Sequence, residues 1–121
     1  VLLVSTSDEL IADVQTELER QATDLPRAAI VRKSLSQARA IRVSSLADAV
    51  EVANDYAPEH LSVQVGDALA LAAEIHSAGA IFIGRLSAET FGDYVVGPSH
   101  VLPTDAAAKA YAGVSVASFM T

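Results

Sequence analysis

The sequence predicts an α/β fold of three layers, in which helices cover a mostly parallel sheet in an incomplete Rossmann-like arrangement. Short apolar stretches alternate four times with stretches of helical periodicity, which is typical of parallel strands joined by helices. Apolar residues make up 51% of the chain and charged residues only 19%, against roughly 25% charged in an average soluble domain. The 121 residues suffice for one domain. We therefore expect residues 1–121 to form a single α/β domain or a fragment of a larger one.

The first predicted unit is a strand followed by a helix. Residues 1–5 form an apolar run, and the serine, threonine and carboxylate side chains of residues 5–9 are suited to accept hydrogen bonds at a helix start. Apolar residues then recur at helical spacing as far as about Thr23, at Leu10, Ile11, Val14 and Leu18. The chain begins within this strand and without Met, so we expect an excised domain or a fragment.

Two more helices surround a second predicted strand. Pro26 separates the first helix from a basic helix over residues 28–36, and the alternating residues 40–43 predict a strand. Ser44 and Ser45 precede a helix that stops near Tyr56, because a proline at position 58 disfavours helical geometry at the residue before it.

The next segment predicts two strands around a helix. Residues 61–65 alternate apolar and polar, and residues 68–77 predict a helix with Gly79 as its C-terminal cap. Residues 80–83 are wholly apolar, as in a strand covered on both faces of a parallel sheet. His76 lies at the end of this helix, where a cation favours the helix dipole, and it is interpreted as structural.

The remainder of the chain has weaker patterns. Residues 85–104 contain two glycines and two prolines without a clear period, which predicts one long loop. Loops of this length within a compact domain are usually functional or disordered. A last helix over residues 105–111 and a final strand over residues 114–119 complete the prediction.

The charge is unevenly distributed. Residues 1–45 hold six acidic and six basic side chains, whereas residues 46–121 hold nine acidic and two basic ones. This field disfavours nucleic acid and favours divalent cations or cationic small molecules, although an acidic surface that serves only solubility explains it equally well. The sequence has no membrane-length apolar run, no signal peptide pattern and no cysteine, so we expect no membrane partner and a cytoplasmic protein.

Glu59 and His60 form the first candidate site. A carboxylate beside an imidazole can polarise water and transfer protons near neutral pH, but two such residues are also common as an exposed polar pair in a turn. The pair follows a helix and precedes a strand, and open α/β sheets bind ligands at the carboxyl edge of their strands. Glu59 and His60 are therefore expected to bind a ligand in this way only if they lie at the carboxyl edge of the sheet.

Asp93 and His100 are the other candidates, both within the predicted long loop. Asp93 is suited to bind a metal ion, although an aspartate after glycine is more often a turn or cap residue. His100 lies between Pro98 and Pro103, so it is either positioned for a ligand or held by the backbone as a structural histidine. The chain has neither a glycine-rich phosphate loop nor a Gly-x-Ser-x-Gly nucleophile motif, so these residues alone support neither a nucleotide site nor a serine hydrolase.

In their order along the chain, these segments closely resemble the histidinol dehydrogenase family. The resemblance extends from the first strand to residues 113–116, so it covers nearly the whole chain, and it is specific only in the combination of its motifs. They are Ala57-Pro58-Glu59-His60-Leu61, Gly79-Ala80-Ile81-Phe82-Ile83-Gly84, Gly92-Asp93-Tyr94, Gly97-Pro98-Ser99-His100-Val101-Leu102-Pro103-Thr104 and Gly113-Val114-Ser115-Val116. The chain would make up about a quarter to a third of such a dehydrogenase.

The resemblance implies a zinc-dependent oxidation of an amino alcohol, L-histidinol, to L-histidine with two NAD in histidine biosynthesis. By the family pattern, Glu59 activates the water that attacks the aldehyde stage, and His60 is the general acid and base that also contacts the substrate. Asp93 is a zinc ligand that lies against the substrate, and His100 lines the substrate pocket. The resemblance also implies a homodimer, with the site completed by the second subunit.

Other family elements are expected outside this chain: the remaining zinc ligands and the NAD-contacting segment. The isolated chain should therefore be inactive. Departures from the family pattern at Ala88, at Pro98-Ser99 and at residues 104–108 leave two alternatives open. One is a sister NAD-dependent dehydrogenase that acts on a sulfonated diol, and the other is a non-catalytic α/β binding module. Retention of all four candidate side chains argues against the binding module.

Overall fold

The computed structural model describes residues 1–94, 99–114 and 116–120. By its internal contacts the chain divides into two compact units, Val1–Ala49 and Val50–Thr121. The first unit contains a parallel strand pair with two helices, and the second contains another parallel strand pair together with the candidate site residues. No helix within the described residues is long and apolar enough to span a membrane.

In the first unit, the elements follow the predicted order. Strand β1 (Leu2–Ser5) leads into helix α1 (Asp8–Asp24), and helix α2 (Ala28–Leu35) leads into strand β2 (Arg39–Arg42). The predicted cap is confirmed, because the Ser7 hydroxyl accepts the backbone N–H of Leu10 at 3.1 Å. β1 and β2 pair in parallel, in register from Leu2 opposite Arg39 to Ser5 opposite Arg42.

In the second unit, each described strand is short and follows a helix. Helix α3 begins before the division between the units and ends within the second one. The second unit's elements are α3 (Leu46–Tyr56), strand β3 (His60–Val63), helix α4 (Ala68–Ala72), strand β4 (Ala80–Ile83), helix α5 (Thr90–Tyr94) and 3₁₀ turns at Ala107–Lys109 and Val116–Phe119. The predicted end of α3 at Tyr56 is confirmed.

β3 and β4 form the second parallel pair, in register from His60 opposite Ala80 to Val63 opposite Ile83. The ladder continues before both strands, where the N–H of Gly79 donates to the Pro58 carbonyl at 2.9 Å. The apolar centre of this pair is small: Val63 and Phe82 are buried, together with Ala68 and Ala72 of α4. The α/β prediction with parallel strands is therefore confirmed, and the four described strands lie in two pairs.

The predicted helix over residues 68–77 is wrong beyond Ala72. The Asn54 side chain of α3 takes the backbone groups that a longer helix would use, since its Oδ1 accepts the N–H groups of His76 and Ser77. Its Nδ2 also donates to the Glu74 carbonyl at 3.1 Å. His76 therefore lies in a connection held by an asparagine and not on a helix.

Gly79 has a different role from the predicted helix cap. It lacks the left-handed conformation of such caps, and a Cβ built on it would lie 2.6 Å from the Glu59 carbonyl oxygen and 3.1 Å from Cδ of Pro103. Glycine is required here because the backbone of the segment before β3 approaches too closely for any side chain.

The predictions for the last third of the chain need three corrections. The segment predicted as one loop contains α5, whose Gly92 packs against Phe82. The predicted final strand over residues 114–119 is wrong, because residues 116–119 form a 3₁₀ turn. The predicted helix over residues 105–111 is reduced to a 3₁₀ turn over residues 107–109 that follows two residues of positive φ. The apolar residues of this segment do not form a strand, because no strand in the described part of the chain pairs with them.

Candidate active site

Glu59 and His60 are placed by a sharp change of direction after α3. Ala57 has a φ of 50° and is 2% exposed, so the chain leaves the helix through a buried left-handed residue. Pro58 follows, and the N–H of Ala80 fixes the Glu59 carbonyl at 2.8 Å. His60 is the first residue of β3, so Glu59 and His60 lie at the amino end of that strand. Open α/β sheets bind ligands at the carboxyl ends of their strands, so that rule does not account for the position of this pair.

Two carboxylates lie beside the His60 ring. Its Nδ1 is 4.0 Å from Oε1 of Glu59 and 4.0 Å from Oε1 of Glu89. The His60 side chain is 24% exposed, whereas those of Glu59 and Glu89 are 40% and 67% exposed. The imidazole is thus largely enclosed, and the carboxylates that face it remain in contact with solvent.

Phe82 supports the other side of the site. Its ring stacks on the His60 ring with the centroids 6.0 Å apart and the planes inclined by 27°. A Cβ on Gly92 would lie 3.1 Å from Cζ of Phe82, so only a glycine lets α5 approach this closely without a shift. One buried phenylalanine therefore fixes both the catalytic candidate on β3 and the short helix that carries Asp93.

Asp93 and His100 form a direct ion-pair contact. The His100 Nδ1 lies 2.6 Å from Oδ1 of Asp93. The Asp93 side chain is 35% exposed and that of His100 is 66% exposed. The His100 and His60 rings lie 6.3 Å apart between centroids, which brings all four predicted residues into one cluster.

The sequence interpretation missed two members of this cluster, Glu89 and Phe82. Glu89 was one acidic residue in an unpatterned segment, and Phe82 was one residue of an apolar strand. No periodicity or spacing distinguishes either of them, since both are brought to His60 by the strand register and by the packing of α5. Gly97 and Pro98, which belong to the quoted His100 motif, lie outside the described residues.

Glu59 also borders a concave surface in the second unit. It is shared with the left-handed residues Asp105 and Ala106, and its lining residues are Tyr56, Ala57, Pro58, Glu59, Thr104, Asp105 and Ala106. The Glu59 side chain is 40% exposed, so solvent reaches it.

The cluster fits zinc only in part. Asp93 offers a partly exposed carboxylate oxygen, a donor that zinc accepts, and His100 already occupies one of its oxygens. Among the described residues, no group of three or more His, Cys, Asp or Glu side chains is arranged to hold a metal ion. A tetrahedral zinc site needs further ligands, so this chain can supply only a portion of one.

The comparisons with known proteins agree on one family. A model of the histidinol dehydrogenase family matches residues 1–121. The histidinol dehydrogenase of Xanthomonas campestris pv. campestris (strain 8004) is 50% identical over 119 residues, which cover 98% of this chain and 28% of that protein. The histidinol dehydrogenase of Bacteroides thetaiotaomicron is 44% identical over 119 residues, which cover 98% of this chain and 28% of that protein.

A solved structure gives the same result. The crystal structure of histidinol dehydrogenase from Elizabethkingia anophelis matches 98% of this chain and 27% of its own, with a TM-score of 0.91 and 37% sequence identity. The chain thus spans a little over a quarter of the length of the relatives it matches.

Proposed function

Because this chain belongs to the histidinol dehydrogenase family, we propose that it forms part of an enzyme that oxidises L-histidinol to L-histidine with two NAD, in the biosynthesis of histidine. The observation that carries the proposal is the convergence of Glu59, His60, Asp93 and His100 on one cluster in the second unit. Residues from three separate segments of the chain meet there, which is the arrangement that a reaction with several proton transfers requires.

His60 is proposed as the general base of both oxidations. In the first, it accepts the hydroxyl proton of the alcohol as a hydride leaves the adjacent carbon, which yields the aldehyde. In the second, it accepts a proton of the hydrated aldehyde as another hydride leaves, which yields the carboxylate. The contacts with Glu59 and Glu89 support this role, since negative charge beside Nδ1 stabilises the imidazolium that each proton transfer forms.

Glu59 is proposed to act between the two oxidations. It accepts a proton from the water whose oxygen adds to the aldehyde carbon, which gives the singly ionised hydrate of the aldehyde. Its 40% exposed side chain and its place on a concave surface support this role, because the attacking water must reach it from solvent. His60 and Glu59 then release their protons to solvent, so the overall reaction consumes one alcohol, one water and two NAD.

Asp93 is proposed as a substrate contact and as one zinc ligand, and His100 as a substrate contact that also orients the Asp93 carboxylate. When bound, zinc would hold and orient the substrate in the manner of a template. NAD would accept the two hydrides, and its site is proposed to lie in other parts of the protein, because this chain has no glycine-rich phosphate loop.

The charge of the cluster favours a cationic substrate. Glu59, Glu89 and Asp93 place three carboxylates around the two histidines, which attracts an ammonium group and repels a sulfonate. The amino alcohol is therefore favoured over the sulfonated diol of the sister dehydrogenase. We further propose a homodimer in the cytoplasm, with the zinc ligands missing here supplied by the rest of the enzyme.

The test is NADH formation by the complete parent protein, given histidinol with zinc added or chelated. We expect two NADH for each histidinol consumed, and loss of the activity on chelation. If the folded, zinc-loaded protein makes no NADH from histidinol but does so from a sulfonated diol, the substrate is wrong. If neither is oxidised, a binding role replaces the enzymatic one.

A further inference from the structure

Glu89 is the member of the cluster that the proposed reaction leaves without a role. Its Oε1 and that of Glu59 both lie 4.0 Å from the same atom, Nδ1 of His60. The two carboxylates come from opposite ends of the strand pair, Glu59 from the residue before β3 and Glu89 from the connection between β4 and α5. Either reaches hydrogen-bond distance after a shift of about 1 Å.

The Nδ1 atom of His60 cannot donate a hydrogen bond to both carboxylates at once. Nδ1 carries one hydrogen, so at any moment one carboxylate accepts it and the other is free. If Glu59 accepted it, Glu59 would be a poorer base toward water, because its charge would be partly neutralised. A second carboxylate at Nδ1 removes that conflict.

The backbone holds Glu89 in place for this task. The Glu89 carbonyl accepts the N–H of Gly92 at 2.9 Å, and the neighbouring Ala88 carbonyl accepts that of Phe91 at 3.1 Å. Gly92 in turn packs on Phe82, the ring that stacks on His60. The same phenylalanine therefore locates the imidazole and the segment that carries the second carboxylate.

We propose that Glu89 is a positioning residue: it accepts the Nδ1–H of His60, so that Nε2 exchanges protons with the substrate and Glu59 stays free to activate water. This inference rests on the proposed function, which it deepens by separating the two glutamates. Glu89 acts through His60 in both oxidations, whereas Glu59 acts on water in the hydration of the aldehyde only. The two roles therefore differ in which half of the reaction they affect.

The experiment uses the complete parent enzyme loaded with zinc, with histidinol or the corresponding amino aldehyde as substrate. For Glu89→Gln, we expect kcat to fall roughly 10- to 100-fold with either substrate, as for other residues that orient a catalytic histidine, and KM to stay within about twofold. For Glu59→Gln, we expect the larger loss with the aldehyde. Glu74→Gln is the matched control, since it makes the same chemical change at an exposed glutamate away from the cluster.

Three results would overturn the inference while leaving the proposed function in place. One is a Glu89→Gln enzyme as active as the wild type and the Glu74→Gln control. Another is a rise in KM at unchanged kcat, which would make Glu89 a substrate contact. The third is a fall in the thermal unfolding midpoint that accounts for the lost activity, which would make its role structural. Absence of wild-type activity on histidinol would instead refute the proposed function itself.

Discussion

At the residue scale, the environment of each side chain distinguishes residues that look equivalent in the sequence. His60, His76 and His100 are the three histidines, and only His60 is stacked on a buried aromatic ring with two carboxylates at Nδ1. The Nδ1 of His100 is engaged by Asp93. The backbone N–H of His76 is bound by Asn54. These differences support the proposed proton-transfer role of His60 and a structural role for His76.

Replacing His60 tests that assignment. We expect His60→Asn in the parent enzyme to lower kcat roughly 100-fold or more while KM changes little, because the loss falls on proton transfer and not on binding. Steady-state NADH formation measures both constants. His76→Asn provides the control and should retain the activity of the wild type. An unchanged kcat for His60→Asn would remove this residue from the mechanism.

Replacing Asp93 tests the proposed metal ligand. We expect Asp93→Ala to lower the zinc content of the purified parent enzyme at least about tenfold at limiting zinc, because loss of one ligand from a tetrahedral site weakens it strongly. Atomic absorption on dialysed protein measures the metal. Asp13→Ala, which removes a carboxylate from the exposed face of α1, is the control. Full zinc occupancy of Asp93→Ala would contradict the ligand assignment.

At the element scale, α3 and the β3–β4 pair fix where the site forms. The start of α3 is a reciprocal cap, in which the Ser45 hydroxyl accepts the N–H of Asp48 at 3.1 Å and Oδ2 of Asp48 accepts that of Ser45 at 3.0 Å. Its end is the left-handed Ala57, after which the chain enters β3 at His60. Both ends of the helix are thus set by local chemistry that the sequence makes visible.

The cap of α3 predicts a pH dependence. Hydrogen bonds from the hydroxyls of Ser44 and then Ser45 lower the pKa of Asp48 below its ordinary value of 3.8. A lowered folded-state pKa means that the stabilisation is present above the unfolded pKa and is lost as the pH falls through the folded one. We expect Asp48→Asn to unfold at lower urea concentration than the wild type at neutral pH, and this difference to shrink as the pH falls below 3.8. A difference that persists unchanged in acid would contradict the role of the carboxylate.

The junction of β3 and β4 predicts a steric effect. A Cβ at Gly79 would lie 2.6 Å from the Glu59 carbonyl oxygen, so Gly79→Ala must push the two strands apart where Glu59 and His60 begin. We expect a loss of about 2 kcal/mol in the free energy of unfolding, as for other overpacked sites, together with a loss of activity in the parent enzyme.

Gly66→Ala is the matched control for this substitution, because a Cβ there has no atom within 4 Å and the backbone is not left-handed. It should change stability by less than about 0.5 kcal/mol. Urea unfolding of both variants gives the comparison. If Gly79→Ala and Gly66→Ala were equally stable, the start of β3 and β4 would accommodate the added methyl group with no loss of free energy of unfolding, which would contradict this prediction.

At the scale of the whole molecule, we propose that the chain carries one part of a larger site. The second unit holds the residues proposed for proton transfer and the carboxylate proposed as a zinc ligand, while the relatives of this chain are more than three times as long. Large apolar side chains remain exposed around the site, including Leu86, Tyr94 and Val101, at 86%, 84% and 62%.

The incomplete ligand set predicts the behaviour of the isolated chain. We expect residues 1–121 alone to produce no NADH from histidinol and NAD, and to bind zinc much more weakly than the parent enzyme, because a single carboxylate cannot replace a tetrahedral set. Equilibrium dialysis with zinc and an absorbance assay for NADH measure both properties. Turnover by the isolated chain would contradict the proposed division of the site.

The sequence by itself determined the parallel α/β class and the limits of α3, and it proposed four site residues that the structure brings close together. These follow from local signals: apolar periodicity, serine caps, a proline after a helix and motifs whose order is specific. It failed where distant contacts outweigh local preference, as where the Asn54 side chain takes the backbone groups that follow α4.

Only the tertiary structure decided that Glu89 joins Glu59 at His60 and that Phe82 supports them. The physical reason is that strand register and close packing bring together residues that no spacing in the chain relates.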